Sequence, residues 1–100
     1  MTPSGHSHRL VLPDDFADYA YEVEAKGVFT EARLRAGDRT FHLTFYDPVR
    51  LGQDIAAELS DGDLFLEPNL IVVRSVTVEE MRAAVDHLVR TGQLDTLVAG

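Results

Sequence analysis

The sequence contains no cysteine, no tryptophan and only one lysine. The missing cysteines exclude disulfide bonds, thiol catalysis and zinc or iron–sulfur sites built on cysteine. No stretch approaches the roughly 20 apolar residues that span a bilayer, and the N-terminal segment lacks the basic start and apolar run of a secretory signal. We therefore expect a cytoplasmic protein that binds neither a membrane nor a cofactor.

The chain is strongly acidic. Seventeen acidic residues stand against nine basic ones, which gives a formal net charge of −8 over 100 residues. An acidic surface repels phosphate at long range, so no nucleic-acid partner is expected and a basic protein partner is favoured. This length is sufficient for a single domain that buries roughly 60–65% of the surface of its unfolded chain.

The N-terminal segment reads as a leader. Proline and glycine interrupt residues 1–13, which predicts a flexible leader before one domain over residues 14–100. His6 and His8 have the spacing of a metal-binding pair and could hold a divalent ion with a neighbouring aspartate. Because they fall in the leader, we expect no physiological metal site there.

Two alternating segments follow the leader. Residues 19–26 alternate well enough to predict a strand with Tyr19, Tyr21, Val23 and Ala25 on its buried side. From Gly27 to Tyr46 the pattern predicts a β-hairpin with a two-residue turn at Gly37 and Asp38. The pairs on its buried side are Leu34 with Phe41, Ala32 with Leu43 and Thr30 with Phe45. The outward side carries Phe29, Glu31, Arg33 and Arg35 opposite Tyr46, Thr44, His42 and Thr40.

The second half of the chain has helical spacing. A helix is predicted from Asp47 and Pro48 to about Ser60, and a second helix begins at a capping box formed by Thr77 and Glu80. Between the helices, residues 70–73 predict a buried strand, and residues 64–66 are either a second strand or a lead-in to it.

These elements predict an α+β fold. The expected architecture is a two-layer sandwich with a mainly antiparallel sheet of four or five strands in the order β-β-β-α-β(β)-α. Both helices are expected on one face of the sheet, so the other face should be uncovered.

The uncovered face is the first candidate binding surface. It mixes aromatic, arginine and histidine side chains, a composition typical of protein contacts. Its members are Phe29, Arg33, Arg35, His42 and Tyr46. A catalytic role for His42 would need a nucleophile–base motif, a phosphate loop or paired carboxylates. The sequence shows none of these, so no catalytic residue and no enzyme activity are predicted.

An acidic patch is the second candidate. It consists of Asp54, Glu58, Asp61 and Asp63. The spacing does not match a calcium-binding EF-hand loop, whereas a docking site for a basic protein needs no fixed spacing.

Three functions are compatible with these features. The first is a non-enzymatic, immunity- or antitoxin-like inhibitor that binds a protein through the open sheet face or the acidic patch. The alternative is a homodimeric accessory or regulatory subunit of a biosynthetic or signalling assembly, with the open face covered by a second copy. The third is a small enzyme or ligand binder that uses His42. The sequence leaves the partner and the oligomeric state open.

Overall fold

A computed structural model describes residues 8–100 and places four strands and three α-helices along them. Their order is β1 (His8–Val11), α1 (Phe16–Lys26), β2 (Val28–Ala36), β3 (Arg39–Tyr46), α2 (Pro48–Asp61), β4 (Leu70–Val72) and α3 (Val78–Arg90). A short 3-10 helix at Gln93–Thr96 follows. The predicted α+β class is confirmed, whereas the predicted order of elements is wrong in its first part.

The strands form one mixed sheet in the order β1-β2-β3-β4. The pairings of β1 with β2 and of β2 with β3 are antiparallel, and β4 lies parallel to β3. Residues 64–73 therefore supply a single strand rather than a hairpin. The chain between β3 and β4 has to return across the sheet to make a parallel pair, and α2 is that connection.

Helix α1 replaces the strand predicted over residues 19–26, and that prediction is wrong. Phe16 and Val23 are buried and lie seven residues apart, about two helical turns, with Tyr19 half-buried between them. The alternation that suggests a strand leaves out Phe16 and therefore misses this spacing. Tyr21, which a strand would have buried, is 84% exposed.

Strand β1 lies within the segment predicted to be a leader. It pairs with β2 so that Leu10 lies opposite Leu34 and Val11 opposite Arg33. Leu10 is half-buried and packs against the core. The leader prediction is therefore wrong for residues 8–11, because a strand of four residues shows too few alternations to be recognised in a sequence.

The hydrophobic core lies on one face of the sheet, where α1 and α3 both cover it. Helix α1 contributes Phe16 and Val23, and helix α3 contributes Met81 and Val85. The sheet residues of this core are Phe29, Ala32, Leu34, Phe41, Leu43 and Phe45.

Helix α2 does not cover this core, although the sequence predicts it on the core face together with α3. None of its residues is buried, and its apolar residues Leu51 and Ile55 are only half-buried. The helix begins as predicted, with Pro48 in the first turn and the Asp47 carboxylate accepting a 2.7 Å hydrogen bond from the backbone N–H of Arg50. The two helices that share the core face are α1 and α3.

Helix α3 begins as the sequence predicts. The Thr77 hydroxyl accepts a hydrogen bond from the backbone N–H of Glu80 at 3.2 Å, and Gly92 follows the helix with a φ of 74°. Its apolar side faces the core, while Asp86, His87 and Arg90 are exposed.

Asn69 ties the C-terminal residues to the sheet. Its amide nitrogen donates to the carbonyl oxygens of His42 and Val98 at 2.9 and 2.8 Å, and its amide oxygen accepts from the Val98 N–H at 2.8 Å. The backbone N–H of Gly100 then donates to the carbonyl oxygen of Thr40 at 2.9 Å. The last residues therefore lie beside β3, next to His42.

Candidate functional site

The sheet face opposite the core carries three exposed arginines. Strand pairing places Arg33 opposite His42 and Arg35 opposite Thr40, as the sequence predicts. Arg9 of β1 lies directly opposite Arg35 and shares the same face. The predicted site does not include Arg9, because its segment is predicted to be a leader. We call these five residues, Arg9, Arg33, Arg35, Thr40 and His42, the arginine face.

The positive charge of the arginine face is uncompensated. Among the described residues, the ion pairs involve His8, Arg39 and Arg50, and none includes an arginine of this face. Like charges directly opposite each other on adjacent strands destabilise a sheet. The arginine face of this acidic chain therefore carries three guanidinium groups that form no ion pair with a described carboxylate.

Phe29 does not belong to this face, and its predicted outward position is wrong. It is only 5% exposed and pairs with Phe45 on the core side, because a β-bulge lies between Phe29 and Ala32. Thr30 and Glu31 together oppose a single residue of β3, and this extra residue reverses the direction of every side chain before it.

Tyr46 points away from the core, as predicted, but it is covered by its own chain. It is 6% exposed, and its hydroxyl donates a 2.6 Å hydrogen bond to Oδ2 of Asp54. Its ring packs edge to face on Phe65, with the two ring centroids 6.3 Å apart. Burial, followed by the hydrogen bond to Asp54, raises the pKa of Tyr46 to about 12. Tyr46 therefore anchors α2 rather than offering a contact surface.

His42 is exposed on β3, at one side of the arginine face. Its side chain makes no hydrogen bond to Glu31, Thr44 or Tyr46 in the described part of the chain, and Thr44 instead donates to Glu67 at 3.2 Å. General acid–base chemistry needs a proton donor or acceptor within hydrogen-bond reach of the reacting group. Within the described residues, no hydrogen bond orients a second ionisable side chain against the His42 ring.

An open groove of about 470 Å³ adjoins the arginine face. Val11, Leu12 and Pro13 supply its apolar side, and Arg33 and His42 lie on the sheet beneath. The remaining lining residues are Asp14, Thr30 and Glu31. The groove thus combines an apolar strip with the edge of the positive surface.

The acidic patch is divided by the structure. Asp54 is occupied, since it accepts from Tyr46 and from Nε of Arg50 at 2.9 Å, and these two hydrogen bonds hold the pKa of its carboxyl below the usual value. Glu58, Asp61 and Asp63 are exposed at the C-terminal end of α2. Only these three remain available to a partner.

Helix α2 carries an exposed apolar row that the sequence-based site does not contain. Val49, Gly52, Ala56 and Leu59 are all exposed and follow one another at intervals of three, four and three residues. This spacing is the a/d pattern with which one helix packs against another. We call these four residues the α2 seam.

The candidate metal pair, for which no physiological site is expected, lies partly outside the described residues. His6 lies outside residues 8–100, and Nε2 of His8 is hydrogen-bonded to Oδ1 of Asp86 at 2.8 Å. Within residues 8–100 no group of three or more His, Asp or Glu side chains is placed to hold a metal ion.

Comparisons of the chain with protein-family models, with curated proteins and with solved structures found no match. Among the helices of residues 8–100, none has both the length and the apolar character needed to cross a membrane.

Proposed function

We propose that this chain is a non-enzymatic protein-binding module of the cytoplasm. It acts as a small acidic inhibitor of the immunity or antitoxin type and binds a basic helix of its target along the α2 seam. The observation that carries this proposal is an amphipathic helix of 14 residues in which no residue is buried. Amphipathic helices in folded domains normally bury their apolar side, whereas α2 buries Leu51 and Ile55 only partly and leaves Val49 and Leu59 exposed, which favours packing on a partner.

The seam has the shape that a second helix requires. Gly52 and Ala56 are small, and no atom lies within 4 Å of the position that a Cβ would take at Gly52. Val49 and Leu59 stand at the two ends of the row and are 71% and 51% exposed. A partner helix can approach closely at the centre and gain apolar contacts at both ends.

The charges beside the seam favour a basic partner. Glu58 and Asp61 lie in the last turn of α2, which contains no basic residue, and Asp63 follows directly. Carboxylates at this end of a helix oppose the helix dipole, which is negative there. Lysine or arginine side chains of a partner would remove this repulsion and form ion pairs, while Leu64 and Leu66, both exposed, add apolar contact.

A homodimeric accessory subunit is the second candidate. In an antiparallel pair of seams, Val49 of one copy meets Leu59 of the other and Gly52 meets Ala56. This self-complementarity is what a twofold interface requires. The same pairing brings two acidic copies together, which weakens it relative to a basic partner.

The test compares two neighbouring alanines of α2. Ala56 lies in the seam and Ala57 on another side of the helix, and both are exposed. Immobilised wild-type chain, Ala56→Arg and Ala57→Arg are incubated with lysate of the native host, and bound proteins are identified by mass spectrometry. We expect one basic protein that wild type and Ala57→Arg retain and Ala56→Arg loses.

The same variants separate the two candidates. Retention of the protein by Ala56→Arg, or its loss from both variants, would contradict the seam as the binding surface. Sedimentation of the purified chain should show a monomer. A dimer that Ala56→Arg dissociates and Ala57→Arg does not would favour the accessory subunit.

A further inference from the structure

We infer that the arginine face binds an acidic segment of a protein. This site is separate from the α2 seam and does not depend on the function proposed for it. The inference starts from the direct opposition of Arg9 and Arg35 across β1 and β2, with Arg33 two residues away on the same face. No ion pair within the described residues neutralises these three guanidinium groups.

The spacing of the arginines fits an extended peptide. Side chains two residues apart on a strand are separated by about 7 Å, which is the distance between the Arg33 and Arg35 positions along β2. In an extended peptide, carboxylates at every second residue have the same separation. Each can therefore meet one guanidinium in the paired geometry that arginine and carboxylate groups favour.

The adjoining groove favours a polypeptide over a simple anion. Its apolar side, formed by Val11, Leu12 and Pro13, lies next to Arg33. A phosphate ion has no apolar group to place there, whereas a peptide can insert an apolar side chain beside its carboxylates. Asp14 and Glu31 line the same groove, so the apolar side chain is expected in the groove and the carboxylates along β2 from Arg33 towards Arg35, where Arg9 lies opposite.

Nucleic acid fits this surface less well. Binding to a single strand relies on aromatic side chains that stack on bases, and the two aromatic residues that the sequence predicts on this face are unavailable, since Phe29 lies in the core and Tyr46 is covered. The net charge of −8 also repels a long phosphate chain. A short acidic segment meets the local positive charge and only a limited part of the surrounding field.

The experiment uses a fluorescent peptide of about ten residues with glutamate at every second position, serine between, and leucine at one end. Anisotropy at low ionic strength measures its dissociation constant, and amide NMR shifts of the labelled protein locate the contact. The variants are Arg9→Glu with Arg35→Glu, and Arg90→Glu as the control. Arg90 is exposed on α3, which covers the opposite face of the sheet.

We expect saturable binding with NMR shifts around Arg9, Arg35 and Thr40. The double variant should weaken it by at least about tenfold, while Arg90→Glu changes it by less than about twofold. Absence of binding by wild type, or an equal loss in the Arg90 control, would overturn the proposal. So would tighter binding of an oligothymidylate of equal charge, which would assign the face to nucleic acid, or equal competition by inorganic phosphate.

Discussion

The Tyr46 hydroxyl and the Asp54 carboxylate, 2.6 Å apart, join the end of β3 to the middle of α2. Arg50 donates to the other oxygen of the same carboxylate, so one side chain collects two hydrogen bonds. No residue of α2 is fully buried, and its other contacts with the domain include the half-buried Leu51 and Ile55 and a 3.2 Å hydrogen bond from the Arg50 guanidinium to the carbonyl oxygen of Lys26. The Tyr46–Asp54 pair therefore helps to set the orientation of the α2 seam.

Replacing Tyr46 by phenylalanine removes the hydrogen bond and keeps the ring. We expect the free energy of unfolding to fall by about 1 kcal/mol, since the accepting carboxylate is charged but still partly exposed. Hydrogen exchange of the α2 amides should accelerate more than that of α3. Tyr21→Phe, at an exposed tyrosine, is the matched control and should change neither quantity. Equal exchange in both variants would show that Tyr46 does not hold α2.

The same contact makes stability depend on alkaline pH. The folded protein holds the pKa of Tyr46 at about 12, above the ordinary value of 10.0. A raised folded pKa means that the neutral hydroxyl contributes stability fully below about pH 10 and loses it as the pH rises through 12. Tyrosinate absorbance should show a last ionisation step near pH 12. Tyr46→Phe should lack that step, and its persistence would assign it to another tyrosine.

The part of the fold that the sequence predicts best is the hairpin near its turn. Gly37 and Asp38 set the pairing of Leu34 with Phe41, and the alternation of apolar residues agrees with it. Farther from the turn the prediction fails, because a bulge adds one residue and alternation alone does not reveal it. The two consecutive polar residues between Phe29 and Ala32 were the available indication of a bulge.

The candidate site was only partly predictable for the same reason. Arg33 and Arg35 lie close to the turn, where the register is secure, and both are exposed as predicted. Arg9 depends on a short strand paired across a distance in sequence, and the cover over Tyr46 depends on where α2 packs. Neither long-range contact leaves a periodic pattern in the sequence.

Phe29→Ala measures the consequence of the bulge. The Phe29 ring packs edge to face on Phe16, with the ring centroids 5.0 Å apart. Its truncation should therefore lower the free energy of unfolding by about 3–5 kcal/mol. Tyr21→Ala removes an aromatic ring of similar size from the surface and should cost less than about 0.5 kcal/mol. Denaturant unfolding checks both values. A small loss of stability in Phe29→Ala would mean that this side chain lies on the outer face of the sheet.

Arg35→Glu should stabilise the sheet. The substitution turns the direct Arg9–Arg35 opposition into a pair of opposite charges, which is worth about 0.2–1 kcal/mol. The gain should shrink as salt is added, because both side chains are exposed. Thermal unfolding at low and high ionic strength measures it, with Arg90→Glu as a variant of equal charge change that lacks the cross-strand partner. A destabilised Arg35→Glu protein would mean that the two arginines do not repel each other.

Gly27 follows the last residue of α1 and lies against Asp47, the residue before α2. Its φ of 75° is unfavourable for other residues, and a Cβ there would overlap the carboxylate of Asp47, the residue that caps α2. Gly37 has a similar φ of 64° with no atom within 4 Å of a Cβ, so Gly37→Ala measures the backbone strain alone, about 1–2 kcal/mol. Gly27→Ala should cost about 1 kcal/mol more, the value of a lost helix cap. The α2 amides should also exchange faster in Gly27→Ala than in Gly37→Ala. Equal losses of stability in the two variants would mean that Asp47 moves aside without releasing the helix.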